Sequence, residues 1–298
     1  MKKIVYLSGG IGGAKLAKGF YNLNDIDFTI IVNTGDDETI HGVRLSPDID
    51  SVIYALAEIE GRFGWGQKND TFLVSEEYKK YIPQEFNLGD KDLALNLFRN
   101  QLFSQGKSLT QITNIITDKF DLNCKILPMS DNLVSTKIKT SNGKLLDFQE
   151  YFVELKSEPE ISDVIYSESE KADITMEVSN ALDQADKIVV GPSNPILSIG
   201  PILAIQNLKE KLTNNSSTYV VSPFIENKAI KGPSKKNFED LGYKSDITGI
   251  KEFYNNIGNY YIVQSGDTDK AENTIEKNIL FKSKEDSTKL ARYIVDHE

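Results

Sequence analysis

The stretch Ser8–Lys15, with the sequence SGGIGGAK, most constrains what this chain can fold into. It follows the apolar run Ile4–Leu7, which predicts a buried strand, and it leads into Ala14–Gly19, whose pattern predicts a helix. A glycine-rich turn between a buried strand and a helix is typical of α/β proteins with a parallel sheet. We therefore predict an α/β fold, a Rossmann-like three-layer sandwich.

The same turn predicts an anion-binding site. Glycines leave backbone N–H groups uncovered, and the positive end of the helix dipole adds to them. The spacing matches neither the P-loop, because Leu16 follows Lys15, nor the dinucleotide fingerprint, because a third glycine is missing at the required spacing. A turn with only a packing role is the alternative to phosphate binding. The residues predicted to hold a nucleotide here are Ser8, Gly9, Gly10, Gly12, Gly13 and Lys15.

Composition narrows the class of protein. The formal net charge is −10, which argues against a general nucleic-acid binder. No apolar run approaches the ~20 residues that span a bilayer. The single Cys124 cannot form an internal disulfide, as is typical of a reducing compartment. We therefore expect a cytoplasmic protein without nucleic-acid or membrane partners.

A second strand, Phe28–Asn33, leads into the loop Thr34–Asp37, which should face the glycine turn because ligands bind at the carboxyl ends of parallel strands. We assign Asn33 and Thr34 to the nucleotide; an ordinary Gly- and Asp-rich surface turn is the alternative. Asp48 and Asp50 precede the apolar helix Ser51–Glu58. They are either Mg²⁺ or hydroxyl ligands, or one of them is a helix N-cap.

Between residues 61 and 120 the pattern becomes mainly helical, and we predict an insertion or lid within a single domain spanning residues 1–298. Trp65 lies in it, either as a packed aromatic or as a stacking surface for a flat heterocycle. Next, Val134–Thr140 and Leu145–Val153 flank an Asn-Gly turn and predict an antiparallel hairpin. Residues 154–172 are interpreted as a surface excursion.

The α/β pattern then resumes with a strand at Lys187–Val190 and a loop at Gly191–Pro195, followed by a helix over Ser198–Leu212. Ser193 and Asn194 in this loop are assigned to the nucleotide, against the alternative of a Pro-rich turn. A strand at 218–221 precedes Lys228 and Lys231, which suggest a clamp for phosphates rather than merely solvated lysines. Residues 260–263 are predicted as the last core strand.

Taken together, these motifs resemble the CofD-type 2-phospho-L-lactate transferases of coenzyme F420 biosynthesis. The resemblance covers most of the chain and is carried by ordered blocks: LSGGIGGAKLAKG, VNTGDD, HGVRLSPDIDSVIYALA, GWG, NDTF, LGDKDLA, LPMSD, FQEYFV, GPSNPILSIGPIL, VSPFI and KAIKGPSKK.

The resemblance implies a Mg²⁺-dependent transfer of a phospho-acyl group from a lactyl or enolpyruvyl guanosine diphospho-acid to the ribityl hydroxyl of the deazaflavin Fo, with release of GMP. It implies a homodimer, and it places Asp50 at the attacking hydroxyl as the catalytic residue, with Asp48 and Asp50 as candidate metal ligands. The residues implied to bind Fo are Asp50, Trp65, Asn87, Leu88, Gly89, Asp90 and Lys91.

The chain departs from the family pattern at Lys91, where arginine is usual, and at Glu226-Asn227, where a Gly-Gly pair is common. Two rival functions stay open. The chain also resembles the YvcK-like gluconeogenesis factors, which bind nucleotide sugars without catalysis. A nicotinamide-dependent dehydrogenase rests only on the Rossmann-like start and lacks the third glycine.

Overall fold

The computed structural model describes residues 1–62, 64–82, 87–225, 228–229, 232–255, 257–267 and 271–297. The strands in chain order are β1 (Lys2–Ser8), β2 (Ile26–Val32), β3 (Glu38–Ile40), β4 (Val43–Leu45), β5 (Lys125–Pro128), β6 (Ser135–Thr140), β7 (Leu145–Asp147), β8 (Ile161–Ser167), β9 (Lys187–Val190), β10 (Thr218–Val221), β11 (Phe224–Ile225), β12 (Lys228–Ala229), β13 (Tyr260–Gln264) and β14 (Thr274–Lys277).

The α-helices are α1 (Ile11–Tyr21), α2 (Pro47–Leu56), α3 (Leu73–Tyr78), α4 (Asp90–Ser104), α5 (Leu109–Lys119), α6 (Met176–Asp183), α7 (Gly200–Leu203), α8 (Gln206–Thr213), α9 (Ser234–Asp240), α10 (Ile247–Tyr254) and α11 (Lys284–Asp296). Two π-helical segments, Glu150–Glu154 and Pro195–Ile199, add to these.

Within the described residues, seven parallel strands form the central sheet in the order β14-β13-β10-β9-β1-β2-β5. Its inner strands β9 and β10 are buried along their whole length, as expected for a parallel sheet covered on both faces. Side chains alternate between the two faces: Ile4 and Tyr6 of β1 pack in one core, Val5 and Leu7 in the other. The predicted three-layer α/β fold is confirmed.

Helices α1, α2, α5 and α11 supply side chains to the core on one face, and α6, α7, α8 and α10 supply the other. The chain after β1 therefore crosses to one face, and the chain after β9 crosses to the opposite one. Because β1 and β9 are neighbours, their carboxyl ends mark the topological switch point of the sheet. We call this position the crevice, since ligands bind there in sheets of this type.

The predicted hairpin is confirmed at β6 and β7, with Gly143 at φ 84° in the turn. Two expectations beside it are wrong. Residues 150–153, predicted as strand, belong to the π-helical segment Glu150–Glu154. Residues 161–167, predicted as surface excursion, form β8, which pairs with β6. Alternation of apolar residues is weak in β8 because only one end of it is buried.

Two later predictions also differ from the structure. The single helix expected over 198–212 is divided into the π-helical segment 195–199, α7 and α8, because the chain is extended at Ile205. β13 is not the last core strand, since β14 pairs with it at the edge of the sheet. The lid predicted over 61–120 contains α3, α4 and α5, of which α5 packs against β5. Among the described helices none has both the length and the apolar character needed to cross a membrane.

Candidate active site

The glycine turn is shorter than the sequence predicts. Helix α1 begins at Ile11, so only Gly9 and Gly10 lie between β1 and the helix, while Gly12 and Gly13 belong to the first helical turn. A Cβ at Gly13 would lie 2.2 Å from Ser8 Oγ, and one at Gly12 would lie 3.2 Å from the carbonyl oxygen of Pro192. Gly12 and Gly13 therefore allow close packing of the helix. Gly9 and Gly10 form the turn between strand and helix, and a Cβ at Gly9 would lie 2.4 Å from Ser198 Cβ.

Gly10 lies directly against the carboxylate of Asp48. A Cβ at Gly10 would lie 2.3 Å from Asp48 Oδ1, so the Gly10 backbone and that carboxylate are in close contact. Asn33 Nδ2 donates to the other oxygen, Asp48 Oδ2, over 2.9 Å. A carboxylate therefore occupies one side of the predicted phosphate cradle, and its negative charge would repel a phosphate unless a cation offset it.

The loop after β9 joins the glycine turn. Gly9 N donates to Ser193 Oγ over 3.0 Å, and the Ser8 hydroxyl donates to the Gly9 carbonyl over 2.6 Å. Asn194 Oδ1 accepts from the backbone N–H groups of Ile196 and Leu197 and so caps the second π-helical segment. The structure therefore brings Ser8, Ser193 and Asn194 to one crevice, where they shape the backbone around the turn.

Of the lysines predicted for phosphates, Lys15 is exposed on α1. Lys231 and the side chain of Lys228 lie outside the described residues, as does the Glu226-Asn227 departure.

Four buried carboxylates gather where the loops after β2 and before α2 meet. Asn33 Nδ2 bridges Asp36 Oδ1, at 3.0 Å, and Asp48 Oδ2. Asp37 accepts a hydrogen bond from the Ser46 hydroxyl over 2.7 Å and lies 3.7 Å from the guanidinium of Arg44. Thr34 lies beside them, with its hydroxyl buried and unpartnered among the described residues. The negative charges of these carboxylates are therefore neutralised to different degrees, because Asp37 has a cationic partner.

The N-cap of α2 is Ser46, and Asp48 and Asp50 both lie inside the first turns of the helix. The alternative in which one of these aspartates caps the helix is therefore wrong. Pro47 at the first helical position moves the start of the helix ahead of both carboxylates, since its fixed φ suits that position.

Burial sets the protonation of this cluster. It raises the pKa of Asp48 to about 7, against the hydrogen bonds from Asn33 and Gly10, and it raises the pKa of Asp37 to about 7, against the charge of Arg44. For Asp36, burial and then the neighbouring charges of Asp48 and Asp37 raise the pKa well above its ordinary value. Asp36 and Asp48 thus form the part of the cluster that gains most from a cation.

Arg99 of α4 pairs with Asp50. Its guanidinium donates to both carboxylate oxygens, over 3.1 Å to Oδ2 and by a closer contact to Oδ1, and Asn96 Oδ1 accepts from the same guanidinium. Arg99 is 1% exposed and Asp50 6%. Burial raises the pKa of Asp50, against the charge and the hydrogen bonds of Arg99, and the two-point contact with the guanidinium orients the carboxylate.

A cavity of about 500 Å³ opens beside this pair, between α2, α4 and the first π-helical segment. One side is aromatic: Phe148 and Phe152 stack with ring centroids 5.3 Å apart and planes 11° apart, and Trp65 meets Phe152 edge-on at 5.9 Å. The lining residues are Asp36, Leu45, Pro47, Asp50, Ser51, Tyr54, Trp65, Gly66, Phe72, Asn87, Leu88, Gly89, Asp92, Asn96, Phe148, Gln149, Phe152 and Val153. A flat ring system with a polar tail fits such a space.

Of the residues predicted to bind the acceptor, the cavity brings together Asp50, Trp65, Asn87, Leu88 and Gly89. Asp90 and Lys91 do not line it.

Asp90 has a different position. Its carboxylate accepts from the N–H groups of Leu73 and Val74 at the start of α3, and from the Thr71 hydroxyl. The carboxylate of Asp70 in turn accepts from the N–H of Lys91 at the start of α4. Asp90 of α4 thus caps the start of α3, and Asp70 caps the start of α4. These reciprocal hydrogen bonds fix the wall of the cavity.

Lys91 extends its ammonium to the carbonyl oxygen of Lys68, at 2.9 Å. Lysine thus replaces the usual arginine at a position where the side chain contacts the backbone and does not line the cavity.

Sequence reasoning missed Arg99 and Asn96, which lie on the buried face of α4 among leucines. Asp92, Asn96 and Arg99 recur at helical spacing within that leucine-rich stretch, and this polar stripe was the available signal. It also missed Phe148 and Phe152, since residues 148–153 were interpreted as strand.

Within the described ranges, no group of three or more His, Cys, Asp and Glu side chains is arranged to hold a metal ion by protein ligands alone. The predicted ligand pair Asp48 and Asp50 is also divided by the structure, because Asp50 faces Arg99 and Asp48 faces Gly10 and Asn33. A cation here therefore needs ligands from a bound substrate or from water.

Comparison with known proteins places the chain among described families. The family model "2-phospho-L-lactate transferase CofD" matches residues 4–293. The chain is 37% identical to the 2-phospho-L-lactate transferase of Methanococcus vannielii, over 99% of this chain and 97% of the relative, and 35% identical to that of Methanocaldococcus jannaschii, over 98% and 97%. In fold it is similar to a UPF0052-family protein from Bacillus halodurans, with a TM-score of 0.68, 16% identity and 99% of both chains covered.

Proposed function

Because the chain belongs to the 2-phospho-L-lactate transferase (CofD) family, we propose that it transfers a 2-phospholactyl or enolpyruvyl-phosphate group to the ribityl hydroxyl of the deazaflavin Fo. The donor is the matching guanosine diphospho-acid, and the products are F420-0, or its dehydro form, and GMP. The observation that carries the proposal is the placement of the aromatic cavity, which shares Asp36 and Asp50 with the cluster beside the glycine turn.

The cavity suits the acceptor. The rings of Trp65, Phe148 and Phe152 offer apolar faces and edges to a planar heterocycle. Asp50, at the polar end, accepts a hydrogen bond from the attacking hydroxyl and orients it. Because Arg99 keeps both carboxylate oxygens engaged, Asp50 acts chiefly by positioning the hydroxyl oxygen, with proton acceptance as the reaction proceeds.

The donor fits the crevice between β1 and β9. There the glycine turn, the Ser193–Asn194 loop and the positive end of the α1 dipole face the nucleotide phosphates. In the transfer, the hydroxyl oxygen of the acceptor forms a bond to the phosphorus that carries the acid. The bond from that phosphorus to the oxygen of the GMP phosphate breaks, its electron pair leaves with GMP, and the hydroxyl proton is released. Catalysis of such a step is mainly positioning and charge neutralisation.

Magnesium is part of the proposal, and the ion pairs of the carboxylates indicate which of them fit as its ligands. Asp37 and Asp50 each have an arginine partner, whereas no lysine or arginine of the described residues forms an ion pair with Asp36 or Asp48. One or two carboxylates plus substrate phosphates and waters are the usual Mg²⁺ environment. We therefore assign Asp36 and Asp48 as the ligands, in place of the pair Asp48 and Asp50. Bound there, Mg²⁺ would neutralise negative charge on the transferring phosphate.

The family resemblance also supports a homodimer and a cytoplasmic location. Equilibrium sedimentation of the purified chain tests the first proposal, because a single species of twice the mass of the 33.4 kDa chain is expected. Cell fractionation tests the second.

The activity is tested by mass spectrometry with purified protein, Fo, Mg²⁺ and the guanosine diphospho-derivatives of lactate, enolpyruvate and glycerate offered together. We expect a phosphodiester of Fo with an equal amount of GMP, and the product mass identifies the acid. If a characterised transferase forms the adduct in parallel and this protein forms none, the proposal is wrong.

The two rival functions have their own assays. Tight binding of a UDP-sugar without any binding of Fo would favour a YvcK-like regulatory protein. Binding of NAD in a titration would favour the dehydrogenase, and we expect none.

A further inference from the structure

Two amides and a tyrosine connect the nucleotide crevice to the acceptor cavity. Asn194 Nδ2 donates to Asn237 Oδ1 over 2.9 Å, and Asn237 Nδ2 donates to the hydroxyl of Tyr151 over 2.9 Å. The Tyr151 hydroxyl donates in turn to the carbonyl oxygen of Ser157, at 3.3 Å. Asn237 and Tyr151 are fully buried, so the hydrogen bond between them is shielded from water, whereas Asn194 is partly buried.

Each end of this series of hydrogen bonds lies at a π-helical segment. This conformation is rare in proteins overall but occurs frequently at functional sites. Asn194 caps the segment 195–199 beside the glycine turn. Tyr151 belongs to the segment 150–154, and its neighbour Phe152 forms the aromatic wall of the acceptor cavity with Phe148.

The chain segment after Tyr151 is strained. Lys156 and Ser157 follow each other with φ of 50° and 57°, the left-handed region that non-glycine residues rarely adopt. Tyr151 holds this segment at two points, since its carbonyl accepts from Ser157 N over 2.9 Å and its hydroxyl donates to Ser157 O. Such a conformation persists only while its surroundings hold it in place.

We propose that Asn237 and Tyr151 are positioning residues that couple nucleotide binding at the Ser193–Asn194 loop to the aromatic wall of the acceptor cavity. A nucleotide that draws the Asn194 amide toward itself removes the partner of Asn237 Oδ1. Because that oxygen is buried, Asn237 turns to recover a hydrogen bond, and Tyr151 loses its donor or moves with it. The wall that carries Phe152 then shifts, so the donor adjusts the cavity for the acceptor. The assignment of the donor as a guanosine nucleotide rests on the proposed function.

The chain contains its own reporter for this coupling. Trp65 is its single tryptophan, and it lies edge-on to Phe152. Intrinsic fluorescence therefore reads the aromatic wall directly, and no acceptor has to be present.

The experiment is a titration of the purified protein with GDP and Mg²⁺, followed by Trp65 emission and, in parallel, by calorimetry. In the unchanged protein we expect GDP to shift or quench the emission with the same midpoint as the heat of binding. In Tyr151→Phe, which removes one hydroxyl, we expect the emission change to fall at least fivefold while the dissociation constant for GDP changes less than threefold.

Two further variants make the result decisive. Asn237→Leu, similar in size, removes the amide and should give the same loss of the Trp65 response, with folding checked by circular dichroism. Tyr219→Phe is the matched control: Tyr219 is also fully buried, but its hydroxyl bonds to His297 at the other end of the sheet, so the response should persist.

The outcomes separate the coupling from the proposed function. If GDP binds by calorimetry but Trp65 does not respond, or responds equally in Tyr151→Phe and Asn237→Leu, the coupling is wrong and the proposed function stands. If calorimetry detects no GDP binding, the coupling and the nucleotide site of the proposed function are both overturned.

Discussion

Arg99 lies 49 residues after Asp50 in the chain, yet its guanidinium donates to both oxygens of the Asp50 carboxylate in the interior of the protein. Helix α4 thereby supports Asp50 of α2, the residue that we assign to the attacking hydroxyl of the acceptor. The pair is buried and further fixed by Asn96, so the carboxylate cannot turn away from the cavity without breaking charged hydrogen bonds.

Asp50→Asn should reduce turnover about 100-fold or more, because the amide keeps the shape but loses the charge that orients the hydroxyl. The affinity for GDP should change little, since Asp50 lines the acceptor cavity and not the crevice of the glycine turn. Steady-state kinetics and calorimetry measure the two effects. A large loss of GDP affinity with normal folding would place Asp50 on the donor instead.

Arg99→Met should destabilise the protein by about 3–5 kcal/mol, because it leaves the Asp50 carboxylate buried without its partner. The double variant Arg99→Met/Asp50→Leu should recover much of this loss, since replacing both members of a buried ion pair with apolar groups is often close to neutral. Urea unfolding of the single and double variants measures both free energies. Equal instability of the two variants would show that Arg99 stabilises the fold through contacts other than Asp50.

Without Mg²⁺, the free energy of unfolding should fall as the pH rises from about 4 to about 7. Asp48 and Asp37 have a pKa of about 7 in the folded protein, against about 3.9 in an unfolded chain. Between these values the unfolded state releases protons that the folded state retains, so a rising pH favours unfolding.

Thermal melting across this pH range measures the effect, and Asp48→Asn should reduce the slope without removing it, because Asp37 still contributes. Mg²⁺ should restore stability at pH 7 in the unchanged protein and should do so much less in Asp48→Asn. Equal stabilisation of both proteins would exclude Asp48 as a ligand.

Gly10→Ala should weaken GDP binding at least tenfold, because the added Cβ would lie 2.3 Å from Asp48 Oδ1 and forces the carboxylate or the turn to move. Gly12→Ala is the control within the same motif, and its Cβ would approach the Pro192 carbonyl only to 3.2 Å. Calorimetry should therefore rank Gly10→Ala well below Gly12→Ala in affinity. The reverse order would mean that helix packing, and not the turn, controls the nucleotide site.

The sequence by itself determined the α/β fold, the strand-turn-helix at Ser8–Lys15 and the Asn-Gly hairpin, since each is encoded by local periodicity or by turn residues. It also determined the family, through ordered motifs along most of the chain. Local pattern was insufficient where an element is stabilised by distant contacts. The π-helical segment 150–154 has a strand-like pattern, but Tyr151 is held by Asn237, 86 residues later.

Only the tertiary structure decided which partner each buried carboxylate has. The sequence leaves open which of Asp36, Asp37, Asp48 and Asp50 would face a metal ion and which the acceptor. In the structure Arg44 approaches Asp37 and Arg99 approaches Asp50, whereas the Asn33 amide bridges the other two carboxylates. The charge, hydrogen bonds and burial of each carboxylate depend on residues from other helices and strands. These long-range contacts have no local signature, which is why the different surroundings of the four carboxylates appear only in the folded protein.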